Sequence, residues 1–257
     1  MAALATFFNT LLMDNFIRPD WPAPTGVHAL ITTRAGGISK PPYASLNLGL
    51  SVGDDPLAVA ENRARVGLYL PGEPRWLRQM HGNRVVCADE QQGIPEADAS
   101  VTCKTSTVLA IQMADCMPVL LCDVAGGVIG AAHAGWRGLS GGVIESTVQA
   151  MNLPGESLQA YLGPAIGPDN FEVGPEVRET FCRHDPQAEL HFRPRQNGKW
   201  LADLYGLARQ RLAALGVKQV YGGSFCTMAD KARFFSYRRD GVTGRMAALI
   251  WLGPVHP

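Results

Sequence analysis

Three side chains in this sequence offer the atoms that bind borderline metal ions. His81 lies in the segment QMHG, Cys116 in ADCMP and His133 in AHAGW. Zinc binds cysteine sulfur and histidine nitrogen readily, and a catalytic zinc site uses three protein ligands with a fourth position open. The spacing fits no closed zinc finger, so it disfavours a purely structural site. A second chemistry is equally compatible with the spacing, in which His133 activates Cys116 as a nucleophile.

A loop near the N-terminus adds groups that could bind a substrate. Its glycine-rich first part could present backbone N–H groups and a guanidinium to an anion. Its second part could donate hydrogen bonds to a sugar or a base. The alternatives are an ordinary loop after a strand and a capped turn. The candidate residues are Arg34, Gly36, Gly37, Ser39, Tyr43, Ser45 and Asn47.

Two later segments supply further candidates. Glu172 in FEVG offers a carboxylate, although a residue in this context often faces the N-terminus of a helix. Arg238 lies in FFSYRRD, which could stack a planar ring and hold an anion, or could be a strand with an alternating solvated face. Asp98 and Asp115 could orient metal ligands as hydrogen-bond acceptors, or could simply cap turns.

Two predicted strands must position Cys116 and His133. Residues 118–123 and 128–132 are rich in apolar and β-branched side chains, and the pair Gly126-Gly127 between them favours a tight turn. Cys116 precedes the first of these strands and His133 follows the second. If the strands pair as a hairpin, the thiol and the imidazole therefore lie together at its open end.

The remaining patterns predict a layered α/β or α+β domain. Residues 27–33, 107–112 and 246–252 are expected to be strands. A helix is expected to begin at Asp54-Asp55-Pro56 and to run to Arg65. Apolar residues at helical spacing predict further helices over 139–151, 173–182 and 201–215.

Composition excludes several classes of protein. The 257 residues carry 23 basic and 23 acidic side chains, so no broad electrostatic surface for nucleic acid or anionic lipid is expected. No apolar run is long enough to cross a membrane. Six cysteines without a C-x-x-C pair favour reduced thiols in a cytoplasmic protein. We expect residues 1–12 to be an N-terminal extension, with Met13 as a candidate initiator, and residues 13–257 to form one catalytic domain.

Several blocks together resemble a known family. They include TTRAGGIS with PPYASLNLG, GDDP with ENR, QMHG, EADASVT, MADCMPVLL, AAHAGWRG, YLGPAIG with FEVG, DLYGLAR and FFSYRRDGVTGRMAALIW. In this order they cover the chain from about Trp21 to Trp251. The sequence resembles the bacterial laccase-domain family, also called multicopper polyphenol oxidase-like proteins. Members have been described as zinc-dependent purine nucleoside phosphorylases with adenosine deaminase activity, and also as peptidoglycan editing factors.

The resemblance implies an α/β/β/α sandwich-like domain with mixed sheets. It also implies one zinc ion bound by His81, Cys116 and His133, with copper as the alternative metal. The expected substrates are purine nucleosides, cleaved by phosphate or deaminated, with Glu172 as the candidate proton shuttle. Arg34 and Arg238 would hold phosphate. A small-molecule substrate and a monomer or homodimer in the cytoplasm are expected, with no nucleic-acid or membrane partner.

Three other functions remain open from the sequence. One is an amidase that removes a misincorporated amino acid from a UDP-MurNAc peptidoglycan precursor. Another is a copper-dependent polyphenol oxidase, although six histidines are too few for a single-copper site and a histidine-rich trinuclear cluster. The third is a nucleotide-binding module without catalytic activity.

Overall fold

The structure is a computed structural model that describes residues 15–254 of the chain. In that range the strands are β1 (Val27–Ile31), β2 (Pro74–Arg75), β3 (Val85–Cys87), β4 (Ala99–Thr102), β5 (Val108–Met113), β6 (Met117–Asp123), β7 (Ile129–Ala134), β8 (Leu158–Leu162), β9 (Glu172–Val173), β10 (Phe192–Pro194), β11 (Trp200–Ala202), β12 (Gln219–Gly222) and β13 (Met246–Leu252). The α-helices are α1 (Pro56–Gly67), α2 (Trp136–Ser140), α3 (Val143–Met151), α4 (Pro175–His184), α5 (Leu204–Ala214) and α6 (Tyr237–Asp240). Short 3₁₀ helices cover Gly155–Ser157, Pro186–His191 and Gln196–Gly198. The extension expected over residues 1–12 lies outside the described range.

The strands form two stacked mixed sheets and a small third one. The four-stranded sheet has the order β1-β13-β5-β2, and the six-stranded sheet has the order β12-β8-β6-β7-β4-β3. Most neighbours are antiparallel, but β2–β5, β3–β4 and β8–β12 are parallel pairs. The third sheet has the order β10-β11-β9. The prediction of mixed sheets is therefore confirmed.

Strand β6 shows why the sheets stack. All seven of its residues are buried, which is typical of a strand covered on both faces. Because side chains alternate along a strand, Leu120 and Cys122 pack into the core between the two sheets. Val119 and Leu121 pack on the opposite face into a second core, against the helices.

Helices cover both outer faces. Val66 of α1 packs against Ala110 and Leu249 on the four-stranded sheet. Helices α3, α4 and α5 cover the six-stranded sheet, with Val148 and Phe181 in its outer core. The layer order is therefore α/β/β/α, and the predicted fold class is confirmed. No helix among residues 15–254 is both long enough and apolar enough to span a bilayer.

The predicted hairpin of β6 and β7 is also confirmed. Met117 pairs with Ala134, and Cys122 pairs with Ile129. Gly126 in the turn has φ +76°, a conformation that glycine adopts without steric cost. The Asp123 carboxylate accepts hydrogen bonds from the N–H groups of Gly127 and Val128 at 2.7 and 2.8 Å. The site residues therefore lie at the end opposite this turn.

All four predicted helices have different bounds in the structure. The first, expected to end at Arg65, runs to Gly67. The helix expected over 139–151 is interrupted, because Gly142 has φ +88° and α3 begins only at Val143. The helix expected from residue 201 begins at Leu204, since Trp200–Ala202 pairs with β9 and β10 and the Asp203 side chain caps α5. The helix expected over 173–182 begins at Pro175 and ends at His184.

Candidate metal centre and active site

The open end of the β6–β7 hairpin brings the three candidate ligands together. Cys116 directly precedes β6, and His133 lies in β7 opposite Pro118. His81 comes from the segment between β2 and β3. One ligand atom from each of the three residues lies within 4.8 Å of the others. The structure thus forms a group that could bind one metal ion.

The buried carboxylate of Asp98 orients His133. His133 Nδ1 and Asp98 Oδ1 are 2.8 Å apart, and Asp98 is 1% exposed. Because this bond occupies Nδ1, the Nε2 atom is the nitrogen left for a metal. Such a carboxylate fixes the tautomer and ring orientation of a histidine ligand.

The same carboxylate fixes the backbone at His81. Asp98 accepts hydrogen bonds from the N–H groups of Met80, His81 and Gly82 at 3.0, 2.9 and 2.7 Å. Burial raises the pKa of Asp98, but His133 and the N–H groups of Gly82 and Met80 outweigh burial and lower it below its ordinary value. One carboxylate therefore links two of the three candidate ligands.

His81 has an unusual backbone conformation for a non-glycine residue. Its φ is +60°, a left-handed value that carries a steric cost for residues with a Cβ. Besides the bonds to Asp98, the Gln79 side chain holds this segment, because it donates to Gln112 O at 2.9 Å and accepts from Gln112 N at 2.8 Å. The ring of His81 lies 4.8 Å from the ring of His133, between centroids.

The electrostatics favour a thiolate at Cys116. Burial raises the pKa of Cys116, but His133 and His81 outweigh burial and bring it down from 9.0 to about 6. Burial lowers the pKa of His133, but Cys116 and Asp98 outweigh burial and raise it to about 9. Because a metal binds the thiolate form of cysteine, this environment suits a metal ligand.

The three candidate ligands differ in exposure. His133 is buried, Cys116 is partly buried and His81 is exposed. A metal bound here would therefore be enclosed by protein on the His133 side and reachable from solvent on the His81 side. Two imidazoles and one thiolate with an accessible side match the three-ligand pattern of catalytic zinc sites.

Gly135 leaves the space that a metal ion would need. A Cβ placed on Gly135 would lie 2.6 Å from Cys116 Sγ and 3.3 Å from His81 Nδ1. The Gly135 φ of −66° is open to any residue, so the requirement for glycine is steric and not conformational.

We expect Gly135→Ala to lower the metal content of the purified protein about tenfold or more, because the methyl group displaces the thiol of Cys116. Elemental analysis of purified protein measures this. Gly82→Ala is the matched control, since its Cβ would meet Asp98 Oδ2 at an ordinary 3.5 Å. Equal metal content in Gly135→Ala and wild type would contradict the steric argument.

The side chain of Arg34 donates its hydrogen bonds to backbone oxygens of the protein. Its Nε and Nη2 donate to Ala44 O at 3.1 and 2.9 Å, and its Nη1 donates to Lys231 O at 3.2 Å. The guanidinium also lies 4.8 Å over the Phe235 ring. Gly36 in the same loop has φ +96°. These contacts give Arg34 a role in holding the loop, and its role toward phosphate stays a prediction.

The other loop candidates form an internal network. Ser39 Oγ donates to Asp54 Oδ2 at 2.6 Å, and Asn47 Nδ2 donates to the same oxygen at 2.9 Å. Tyr43 OH donates to Val52 O at 2.8 Å. Ser39 and Asn47 are buried, whereas Tyr43 is partly buried. Their contacts to a sugar or a base stay predictions.

Glu172 and Arg238 are connected to the ligand segment through Asp115. The N–H of Arg238 donates to Asp115 Oδ2 at 2.7 Å, and Arg238 Nη1 donates to Glu172 O at 2.7 Å. The Glu172 carboxylate is exposed and lies 3.8 Å from Arg195 Nε. Arg238 lies in the short helix α6 (Tyr237–Asp240), which Ser236 caps, and not in a strand. The alternative of a strand with a solvated face is therefore wrong.

Sequence reasoning missed Gly135, which lies beside the candidate ligands, and Arg245, which lies at the same end of the sheet. Gly135 lies two positions after His133, and a glycine at the end of a strand is a signal of close approach by another group. Arg245 directly precedes the buried strand β13, and its position near the site follows only from strand pairing. Nothing in the local pattern distinguishes Arg245 from an ordinary charged residue at the end of a strand.

Comparison with known proteins decides the family. Residues 28–253 match the model of a family described as multi-copper polyphenol oxidoreductase laccase. The chain belongs to this laccase-domain family. The resemblance drawn from the sequence blocks is thus confirmed. In this laccase-domain protein, the His81–Cys116–His133 group is the one cluster of three or more potential metal ligands among residues 15–254.

Relatives of this laccase-domain protein are similar over nearly their whole length. A purine nucleoside phosphorylase of Pseudomonas aeruginosa is 52% identical over 241 residues, which cover 93% of this chain and 99% of that protein. The purine nucleoside phosphorylase YfiH of Escherichia coli is 51% identical over 243 residues, which cover 93% of this chain and 100% of YfiH.

Solved structures have the same fold. The crystal structure of a Neisseria meningitidis protein aligns with a TM-score of 0.90 at 52% identity, over 93% of this chain and 100% of that one. YlmD from Geobacillus stearothermophilus aligns with a TM-score of 0.85 at 33% identity, over 91% of this chain and 94% of YlmD.

Proposed function

We propose that this laccase-domain protein is a zinc-dependent enzyme that acts on purine nucleosides. It would cleave adenosine, inosine or methylthioadenosine with phosphate, and it would deaminate adenosine. The observation that carries the proposal is the convergence of His81, Cys116 and His133, with ligand atoms within 4.8 Å and one accessible side. The two relatives named purine nucleoside phosphorylases, at 52% and 51% identity, support the substrate class.

The donor atoms fit zinc. When bound, zinc would supply a Lewis acid that polarises a substrate oxygen and lowers the pKa of a water molecule. Copper also binds imidazole and thiolate, so this group could hold it. A multicopper oxidase, however, needs a trinuclear cluster and a separate single-copper site, and the described residues 15–254 offer one group of three ligands. We therefore propose zinc as the metal for function.

The residues around the ligands have separate roles in this proposal. Asp98 holds His133 in the tautomer that leaves Nε2 free, and it fixes the segment that carries His81. Glu172 is the proposed group for proton transfer. Its backbone oxygen binds Arg238, which in turn binds Asp115, so β9 lies against the segment that carries the thiol.

Both reactions require a proton to be moved and charge to be stabilised. In phosphorolysis the bond between C1′ and N9 breaks, a phosphate oxygen bonds to C1′, and the departing purine takes up a proton. In deamination a water oxygen replaces the amino group at C6, which leaves as ammonia. In this proposal the Glu172 carboxylate would accept and return the proton in each reaction.

The test is incubation of purified protein with adenosine and with inosine, each with and without phosphate. We expect adenine or hypoxanthine together with ribose 1-phosphate only when phosphate is present, and inosine from adenosine in either case. Chromatography of the products measures both reactions. Stripping the metal with a chelator should stop turnover, and added zinc should restore it. Zinc-loaded protein that converts none of these nucleosides would contradict the proposal.

A further inference from the structure

A half-buried arginine lies at the end of the four-stranded sheet from which the chain leads to Cys116. Arg245 directly precedes β13, and the next residue, Met246, pairs with Met113 at the end of β5. From Met113 the chain runs through Asp115 to Cys116 and into β6. The register of the four-stranded sheet thus places Arg245 at the same end of the sheet as the thiol ligand.

Neighbouring groups hold the stem of Arg245. Its backbone N–H donates to Asn47 Oδ1 at 2.8 Å, and its Nη1 donates to Thr243 O and Gly244 O at 3.0 Å each. A Cβ on Gly49 would lie 2.8 Å from the Cγ atom of Arg245, so the side chain packs directly on that glycine. These contacts fix the position of the guanidinium.

Part of the guanidinium has no hydrogen-bond partner among the described residues. The Nε and Nη2 atoms of Arg245 form no hydrogen bond with any residue in the range 15–254. Its Cζ atom lies 6.0 Å from the ring centre of Tyr237, which is 60% exposed. Uncommitted donors on a fixed arginine present the geometry that a phosphate or carboxylate binds with two parallel hydrogen bonds.

Two other arginines of this region use the Nε–Nη2 edge of their guanidinium within the protein. Arg34 donates from all three of its side-chain nitrogens to backbone oxygens. Arg63 donates from Nε and Nη2 to Leu48 O and lies 4.0 Å over the Trp76 ring. In both of them the Nε–Nη2 edge is occupied, whereas the same edge of Arg245 forms no hydrogen bond with residues 15–254.

Burial and the neighbouring charges act on the pKa of Arg245 in opposite directions. Burial lowers the pKa of Arg245, while the negative charges of Cys116 and Asp115 raise it. The guanidinium is thus partly removed from water and close to the ligand segment. An anion that approaches the metal from the exposed side would interact with this guanidinium with less screening by water than at a fully exposed site.

We propose that Arg245 binds the oxyanion of the substrate beside the metal ligands, which is inorganic phosphate in phosphorolysis. This inference rests on the proposed function for the identity of the reaction. In that reaction Nε and Nη2 would hold the phosphate while one of its oxygens forms the bond to C1′. The electron pair of the broken C1′–N9 bond leaves with the purine, which takes up a proton.

The test compares Arg245→Met, which keeps the apolar stem, with Arg245→Lys, which keeps the charge. For Arg245→Met we expect the KM for phosphate to rise about 10- to 100-fold, with zinc content equal to that of wild type. Arg245→Lys should recover part of the loss, because one charge remains but the fork of donors does not. Arg137→Met is the matched control, because Arg137 is an exposed arginine that follows the ligand segment of β7 and should change the KM less than twofold.

Direct titration of zinc-loaded protein with inorganic phosphate, followed by calorimetry or phosphorus NMR, separates this inference from the proposed function. Weaker phosphate binding in Arg245→Met but not in Arg137→Met supports it even if no nucleoside is converted. Unchanged phosphate binding in Arg245→Met overturns it. An equal loss in both variants, or a loss in Arg34→Met alone, also overturns it, since the anion would then respond to general charge or to the loop.

Discussion

Replacing Cys116 with alanine is expected to abolish metal binding and to lower kcat/KM on nucleosides by roughly 10³-fold or more. The variant keeps the two imidazoles but loses the thiolate, which is the one charged ligand of the three-ligand site. A bound metal is worth several kcal/mol of charge stabilisation in a transition state, and each 1.36 kcal/mol is a factor of ten in rate. Zinc content by elemental analysis and product formation by chromatography measure the two effects.

Cys122→Ala is the matched control for this prediction. Cys122 lies six positions further along the same segment, is fully buried and packs between the two sheets. Its replacement should lower the free energy of unfolding by about 1 kcal/mol through a small cavity, without changing zinc content. If Cys116→Ala kept its zinc and its turnover, the proposed ligand set would be wrong.

Replacing Asp98 with alanine is expected to have the largest effect on stability. The change removes the partner of His133 and leaves three backbone N–H groups, those of Met80, His81 and Gly82, without their acceptor. Loss of a buried, charged acceptor with several donors costs about 3–5 kcal/mol of unfolding free energy. We also expect zinc affinity to fall about 10- to 100-fold, because His133 loses its orientation. Denaturant unfolding and zinc titration measure the two quantities.

Asp123→Ala is the control that separates the effect of Asp98→Ala on stability from its effect on zinc affinity. Asp123 is a buried carboxylate at the opposite end of the same hairpin, and it accepts two backbone hydrogen bonds. Its loss should lower stability and leave zinc affinity unchanged. Equal zinc affinities in Asp98→Ala and wild type would show that Asp98 has no role in positioning the ligands.

Much of the scaffold could be predicted because its signals are local. The apolar run of β6, the pair Gly126-Gly127 and the strand that follows predict a hairpin, and the hairpin places Cys116 beside His133 without any distant contact. The break before α3 was missed because Gly142 adopts a left-handed conformation that residues 139–151 do not reveal by their spacing. Likewise, the strand at Trp200–Ala202 exists because β9 and β10 lie beside it.

The composition, the strand pattern and the blocks of family resemblance were determined by the sequence itself, and together they indicated the fold class and the candidate metal ligands. Only the tertiary structure decided which polar side chains form hydrogen bonds within the protein and which keep free donors. Arg34 bonds to a carbonyl 197 positions away, and Asp98 bonds to His133, 35 positions away. The pairing of β13 with β5 places Arg245 at the end of the sheet next to the segment of Cys116. Hydrogen bonds form between neighbours in space, so a pattern read along the chain cannot assign the partners of such side chains.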